Sequence, residues 1–243
     1  HDPNPESNEV IYRFFELFDL KNIPKMDLIL YAVRKQAVLI TPPLKSYLEE
    51  KLLFAFLHHP ALAEYWSEKL GEKGYQLLLK VLPPTWIMDN RPLPPHAVIP
   101  NLTLGDSPIT DWQQLKAATQ REREMVIKIS GFSELSWGSH GVCIGHDVSS
   151  KVWSETIDQA LASFPKNPYI LQKFFKGRRV SAQYYDFDTK EPKAMSGRVR
   201  LCPYYFVQNN RVELAGMLAT ICPLDKKLIH GMVDAVMVPT MIK

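Results

Sequence analysis

Cysteine is scarce in this 243-residue chain: Cys143, Cys202 and Cys222 lie far apart, with no C-x-x-C pair. That argues against a disulfide framework or a zinc site and makes a reducing cytoplasm the expected home. Charge of one sign is lacking too. The 29 basic and 26 acidic residues are interspersed and leave a net charge of only +3, which gives no case for a nucleic-acid or membrane partner. No apolar run approaches the roughly 18 residues a membrane span needs, and the opening HDPNPESNEV has no charged-then-apolar leader pattern. An initiator methionine is missing, so we expect an excised piece of a longer protein. What remains, 46% hydrophobic and 23% charged residues, suits a globular chain with one large core or two modest ones.

The first half reads as mainly helical. Val10, Phe14, Leu17 and Phe18 recur at helical spacing before Pro24, which suggests a short helix or a strand with a turn. Ala37 to Ile40 reads as a short buried strand stopped by Pro42 and Pro43. Leu48, Leu52, Ala55 and Phe56 form one stripe of a helix over 44–58. Two further helices are predicted over 61–70 and 75–82, with Gly71 and Gly74 as stops. Residues 83–108 hold seven prolines and the short strand TWIM, and read as an ordered connector winding over a surface. This divides the chain into a mixed helical lobe with its connector, 1–108, and an α+β lobe, 109–243.

A helical stretch is predicted over 110–122, after which the period switches to two. EMVIKIS, YILQKFF, RVSAQYYDFD, AMSGRVRLCPYYFV and RVELAGMLATIC all read as strands. One helix over 151–164 interrupts them, with Val152, Trp153, Ile157, Ala160, Leu161 and Phe164 inward and Ser149 or Ser150 as cap. Asn209 and Asn210 suit a tight hairpin turn. The fold class expected is α+β, a mostly antiparallel sheet with flanking helices plus the N-terminal helical cluster.

Lys128 sits in a predicted strand that runs into SGFSELSWGSHGVCIG, where Gly131, Gly138, Gly141 and Gly145 lie among hydroxyl residues from Ser130 onward. A lysine leading into a glycine-rich turn suits a phosphate: the backbone approaches the anion, N–H groups donate to its oxygens and the ammonium offsets its charge. The same glycines would also serve a plain hairpin loop. Downstream, Gln172, Lys173 and Phe174 would line a strand edge beside an apolar wall, where an adenine ring can bond main-chain groups; an ordinary core strand is the alternative. In GRVRLCPYYF, alternation puts Arg198 and Arg200 on one face, either to grip phosphoryl oxygens or as solvated surface cations. Cys143 alternates like a buried strand residue, and His230 with Gly231 and Asp234 reads as structural.

This order of parts, a strand lysine, a Gly-rich loop, a helix, a Q-K-F-F strand and an R-V-R strand over 124–207, resembles the nucleotide-gripping half of the ATP-grasp superfamily. Upstream, YRFFELFD, TPP, LEEK and LPPTWIMD are similar to its circularly permuted branch, which includes glutathionylspermidine-synthetase-like proteins. The matching positions are Tyr12, Arg13, Asp19, Glu50, Lys51, Pro84, Thr85 and Trp86. The resemblance implies ATP and magnesium as cofactors, and a carboxylate activated as an acyl phosphate and captured by an amine or thiol of a small molecule or peptide. Carried over, Lys128 would contact phosphates, residues 130–141 would form a lid, Gln172 to Phe174 would meet adenine, and Arg198 or Arg200 would stabilise phosphoryl charge. Members of the family hold magnesium with a carboxylate on one strand and an E-x-N pair on the next. No E-x-N occurs in the sheet region here; Glu213, Asp225 and Asp234 are candidate ligands, and Asp19 is another if permutation has moved the metal strand forward. A degenerate, non-catalytic module that binds a nucleotide or a protein is the alternative.

Overall fold

The computed structural model describes residues 9–131, 133–136, 141–226, 228–229 and 234–240. The chain divides into two compact units between Phe174 and Phe175. Residue 108, where composition suggests a boundary, lies inside the first unit, because a strand before it pairs with one well after it.

The first unit opens with β1 (Val10–Tyr12), α1 (Met26–Arg34) and β2 (Leu39–Thr41), and β1 and β2 pair in parallel. The predicted helix over 44–58 begins late: a 3-10 turn at Ser46–Leu48 precedes α2 (Leu52–His58). α3 (Ala63–Leu70) and α4 (Glu72–Val81) follow, parted at Gly71, whose φ of +70° is a conformation other residues rarely adopt. Gly74 stops nothing; it lies within α4. β3 (Thr85–Met88) matches the TWIM reading, and β4 (Thr103–Leu104) and β5 (Ser107–Pro108) form a small hairpin.

The proline-rich connector does more than wind over a surface. Ile99 and Leu102 are at most 5% exposed and belong to the main core, because burial of branched side chains outweighs the irregular backbone the prolines impose. The helix expected over 110–122 is only a 3-10 turn, Trp112–Ala117, opened by a capping box between Asp111 and Gln114.

β6 (Met125–Ile129), β7 (Val142–Ile144), α5 (Ser150–Ser163) and β8 (Tyr169–Lys173) complete the unit as an antiparallel sheet of order β3-β8-β6-β7. Ser149 caps α5 by accepting from the Val152 N–H at 3.3 Å. Trp153, Ile157, Ala160 and Leu161 face the sheet as expected, whereas Val152 is 43% exposed. The helix and connector lie on the sheet face that carries Ile127, Ile129, Tyr169 and Leu171. Strand alternation sends Val126, Lys128, Ile170 and Gln172 to the other face.

The second unit is a four-stranded antiparallel sheet of order β12-β11-β10-β9, from β9 (Arg179–Asp186), β10 (Glu191–Gln208), β11 (Arg211–Pro223) and β12 (Val236–Thr240). The two-residue turn falls at Asn209 and Asn210, both at positive φ (50° and 60°), as the right-handed twist of a hairpin demands. Mixed α and β structure with antiparallel sheets and several helices is therefore the fold class.

Candidate phosphate-binding site

Lys128 projects from the middle of β6 onto the sheet face opposite the core. Burial pulls its ammonium from the usual 10.5 down to about 8, and the Lys51 ammonium nearby adds to the fall. It has no hydrogen-bond or ion-pair partner among the described residues. A desolvated cation facing a second cation is costly in the free protein, and both costs are relieved by an anion.

Lys51 is held where it stands. Its Nζ donates to the carbonyl oxygens of Ser130 at 2.8 Å and Ile129 at 3.3 Å, and its own backbone N–H donates to the Ser130 oxygen. Burial lowers its pKa, opposed by Glu50 and Glu16. Ser130, fully buried, is bound from the same segment: its hydroxyl donates to Glu50 Oε2 at 2.5 Å and accepts from the Leu52 N–H at 3.0 Å. Glu49 faces the other way, accepting from Arg13 Nη1 at 2.6 Å and from the Leu17 N–H at 2.9 Å. The LEEK segment is thus fastened to the end of β6 on one side and to the N-terminal strand and turn on the other.

Gly131 is small for a reason other than the one its sequence context suggests. A Cβ there would come within 2.9 Å of the Glu49 carbonyl oxygen, so the space beside its backbone is filled by LEEK. At Gly141 a Cβ would sit 2.7 Å from the Leu135 oxygen. Both glycines serve close backbone packing at the mouth of the loop. Gly138 lies outside the described residues, as do His230 and Gly231.

The adenine-edge reading needs correction at β8, which is no edge: β3 and β6 flank it. The Lys173 N–H is taken by the Pro84 oxygen at 2.9 Å, and the Phe174 N–H by the Glu124 oxygen at 3.0 Å. Gln172 is buried and donates to Thr85 Oγ1 at 2.8 Å, which in turn donates to the Pro83 oxygen. Phe174 packs its ring 4.8 Å from that of His146. A cleft of about 900 Å³, signalled by no sequence pattern, opens along β3, with Leu52, Phe56, Trp86, Trp112, Phe164 and Arg91 in its walls. Its wall begins at Leu52, one residue after Lys51.

Arg198 and Arg200 belong to the second unit and share a face of β10. Arg198 Nη1 donates to the Gly177 oxygen at 2.9 Å, and Arg200 is exposed with no partner among the described residues. Glu213 pairs with Phe206 on that same face, six residues beyond Arg200, which at about 3.3 Å per residue is about 20 Å along the strand. A metal ion held at Glu213 therefore could not reach a phosphoryl group held at Arg200. Asp19 accepts from Asn22 Nδ2 at 2.6 Å, and Asp234 pairs with Lys226. Among the described residues no group of three or more acids, histidines or cysteines converges as a metal site. No protein-family model, curated protein or solved structure matches the chain.

Proposed function

We propose that the chain binds ATP through an ATP-grasp-like site and is part of a ligase that joins a carboxylate to an amine or thiol through an acyl phosphate. The observation that carries this reading is the Lys51–Lys128 pair: two desolvated ammonium groups, one fixed by backbone carbonyls and the other without a partner among the described residues, at the entrance to a glycine-bearing loop. Triphosphate oxygens are the ligand chemistry that offsets two such charges together. The resemblance of the Glu124–Val207 order of parts to the family supports the same assignment.

Lys128 would bind and orient the phosphates; Lys51 would hold the backbone of Ser130 and bias Lys128; the loop after Gly131 would exclude water. The resemblance alone gives Arg198 or Arg200, in the second unit, the role of stabilising phosphoryl charge. Magnesium would enter with the nucleotide, since no group of three or more acids, histidines or cysteines converges among the described residues to hold it alone.

The test is calorimetric titration of ATP, with and without magnesium, into wild type and Lys128→Ala. Binding in the wild type that is lost in the variant supports the site, and turnover with a carboxylate pool then separates a ligase from a non-catalytic module. Wild type and variant that bind ATP equally well would sink the assignment. The pH profile adds a sign. Since the free Lys128 titrates at about 8, affinity is full below that pH and falls up to about tenfold per unit above it.

A further inference from the structure

We propose that the cleft along β3 is a peptide-docking groove, in which an extended, uncharged apolar segment of another protein adds as one more strand at the outer edge of β3.

β3 ends the sheet of the first unit: β8 pairs with one side of it, and no described strand pairs with the other. The Lys173 N–H donates to the Pro84 oxygen at 2.9 Å. Antiparallel ladders alternate, so Trp86 and Met88 also turn their main-chain groups toward β8. Thr85 and Ile87 therefore turn theirs outward, and both residues line the cleft. Their outward N–H and C=O groups have no hydrogen-bond partner among the described residues. A donor and an acceptor repeating about 7 Å apart are met in full by another extended main chain. Natural folds blunt an open edge with a charge, a proline or a bulge. Thr85–Met88 has none of these. The edge is recessed instead, with Thr85 only 2% exposed and Ile87 half-buried. A lone extended segment can enter such a cleft, whereas the edge of a second folded sheet is too broad.

The walls suit uncharged side chains. α2 supplies Leu52, Ala55 and Phe56; the connector, the 3-10 turn after it and the C-cap of α5 supply Pro100, Trp112 and Phe164. Asp89 is ion-paired with Arg91, and burial lowers the pKa of His58, which favours its neutral form. The indole N–H groups of Trp66, Trp86 and Trp153 each donate to a backbone carbonyl. That of Trp112, a residue 8% exposed in the cleft wall, has no acceptor among the described residues, and a peptide carbonyl would supply one. At about 900 Å³ the cleft is near the upper end of ligand cavities, with room for several residues.

Docking at β3 is independent of the nucleotide reading. The experiment titrates the capped peptide acetyl-KVLVLK-amide into the full chain, followed by calorimetry and amide hydrogen exchange. The peptide is expected to bind and to slow exchange of the Ile87 N–H, while Met88 is already slow from its ladder bond. A peptide N-methylated at alternate central residues keeps one bonding edge and should bind like the parent. One methylated at every central residue keeps none and should bind at least about tenfold more weakly. Ile87→Pro deletes the outward N–H without touching the ladder and should weaken the parent peptide about tenfold; if that variant does not fold, the methylated peptides decide. No binding of the parent peptide, or equal binding of the parent and the fully methylated peptide, would overturn the proposal. So would Ile87 protection that rises with protein concentration alone, the mark of a second copy of this chain in the cleft. Lys128→Ala should bind the peptide as wild type does, so this proposal and the nucleotide reading fail separately.

Discussion

The two sheets have the same number of strands and the same antiparallel pairing, yet they treat charge and apolar surface in opposite ways. The first is backed by α5 and the connector, and Trp153, Ile157 and Ile127 are wholly inaccessible. The second has no helix among its described residues, and Leu201, Tyr205, Val207 and Val212 stand 53–70% exposed on one face of the β10–β11 hairpin. A cation in the first setting is held against desolvation, as Lys128 is. Arg200, in the second, stays exposed to water. A lysine suits the first role because its ammonium can lose its proton, and arginine suits the second because it cannot.

The largest test of the contrast is truncation. Trp153→Ala should destabilise the first unit by about 3–5 kcal/mol, because the indole is fully buried and also donates to the Leu115 oxygen at 2.9 Å. Tyr205→Ala, removing a side chain 61% exposed, should cost under about 1 kcal/mol. Denaturant midpoints measure both; equal losses would mean that the second sheet is covered in solution.

Lys128→Met comes next and has a sign opposite to most core substitutions. The native pKa of about 8 lies below the unfolded 10.5, so between those values the unfolded chain binds more protons and wild-type stability rises with pH. Below about pH 8 the charged group weakens the fold, by up to about 3 kcal/mol. The variant should therefore be more stable at pH 7 and lack that rise, while losing nucleotide binding. A pH-stability curve of the same slope in both proteins would show that Lys128 is solvated.

Glu49→Gln should cost about 2 kcal/mol, because Arg13, whose side chain is only 8% exposed, loses its counter-charge. The effect tests whether the order at the Lys51 end of α2 is imposed by these fastenings; melting of the Lys128 surroundings, seen as a return of its pKa toward 10.5, is the expected secondary change.

Much of this was legible from residue order. α5 and the strands around Lys128 are periodic over enough residues for burial and backbone preference to agree. Lys51 was visible only as part of LEEK; its role depends on a bond to Ser130, 79 residues away in sequence, and no local pattern encodes such a pairing. Gly131 shows the same limit. Its context reads as an anion loop, while the atom that forbids a side chain there is the Glu49 carbonyl. Strand β8 failed as an edge for a related reason: alternation identifies a strand but not its neighbours, and β3 comes from the proline-rich segment itself, far earlier in the chain. In the second unit the strands were legible, and so was the shared face of Arg198 and Arg200; which face is the apolar one was not, because Val199, Leu201, Tyr205 and Val207 on one side compete with Tyr204 and Phe206 on the other.

The smallest effect concerns how the second sheet keeps its register without a helix at its back. Much of that work falls to the β10–β11 turn, where Asn209 and Asn210 adopt the left-handed conformation at φ of 50° and 60°. Asparagine tolerates it better than other side-chain-bearing residues, but a type I′ turn favours glycine in its second position. Asn210→Gly should then stabilise the second unit by about 0.5 kcal/mol and leave the first unchanged. A matching gain in hydrogen-exchange protection along Val207 and Val212, with none at Ile127, would show that the hairpin holds itself together locally. Equal gains in both units would mean that they unfold as one, and the contrast between the sheets would then be one of surface alone.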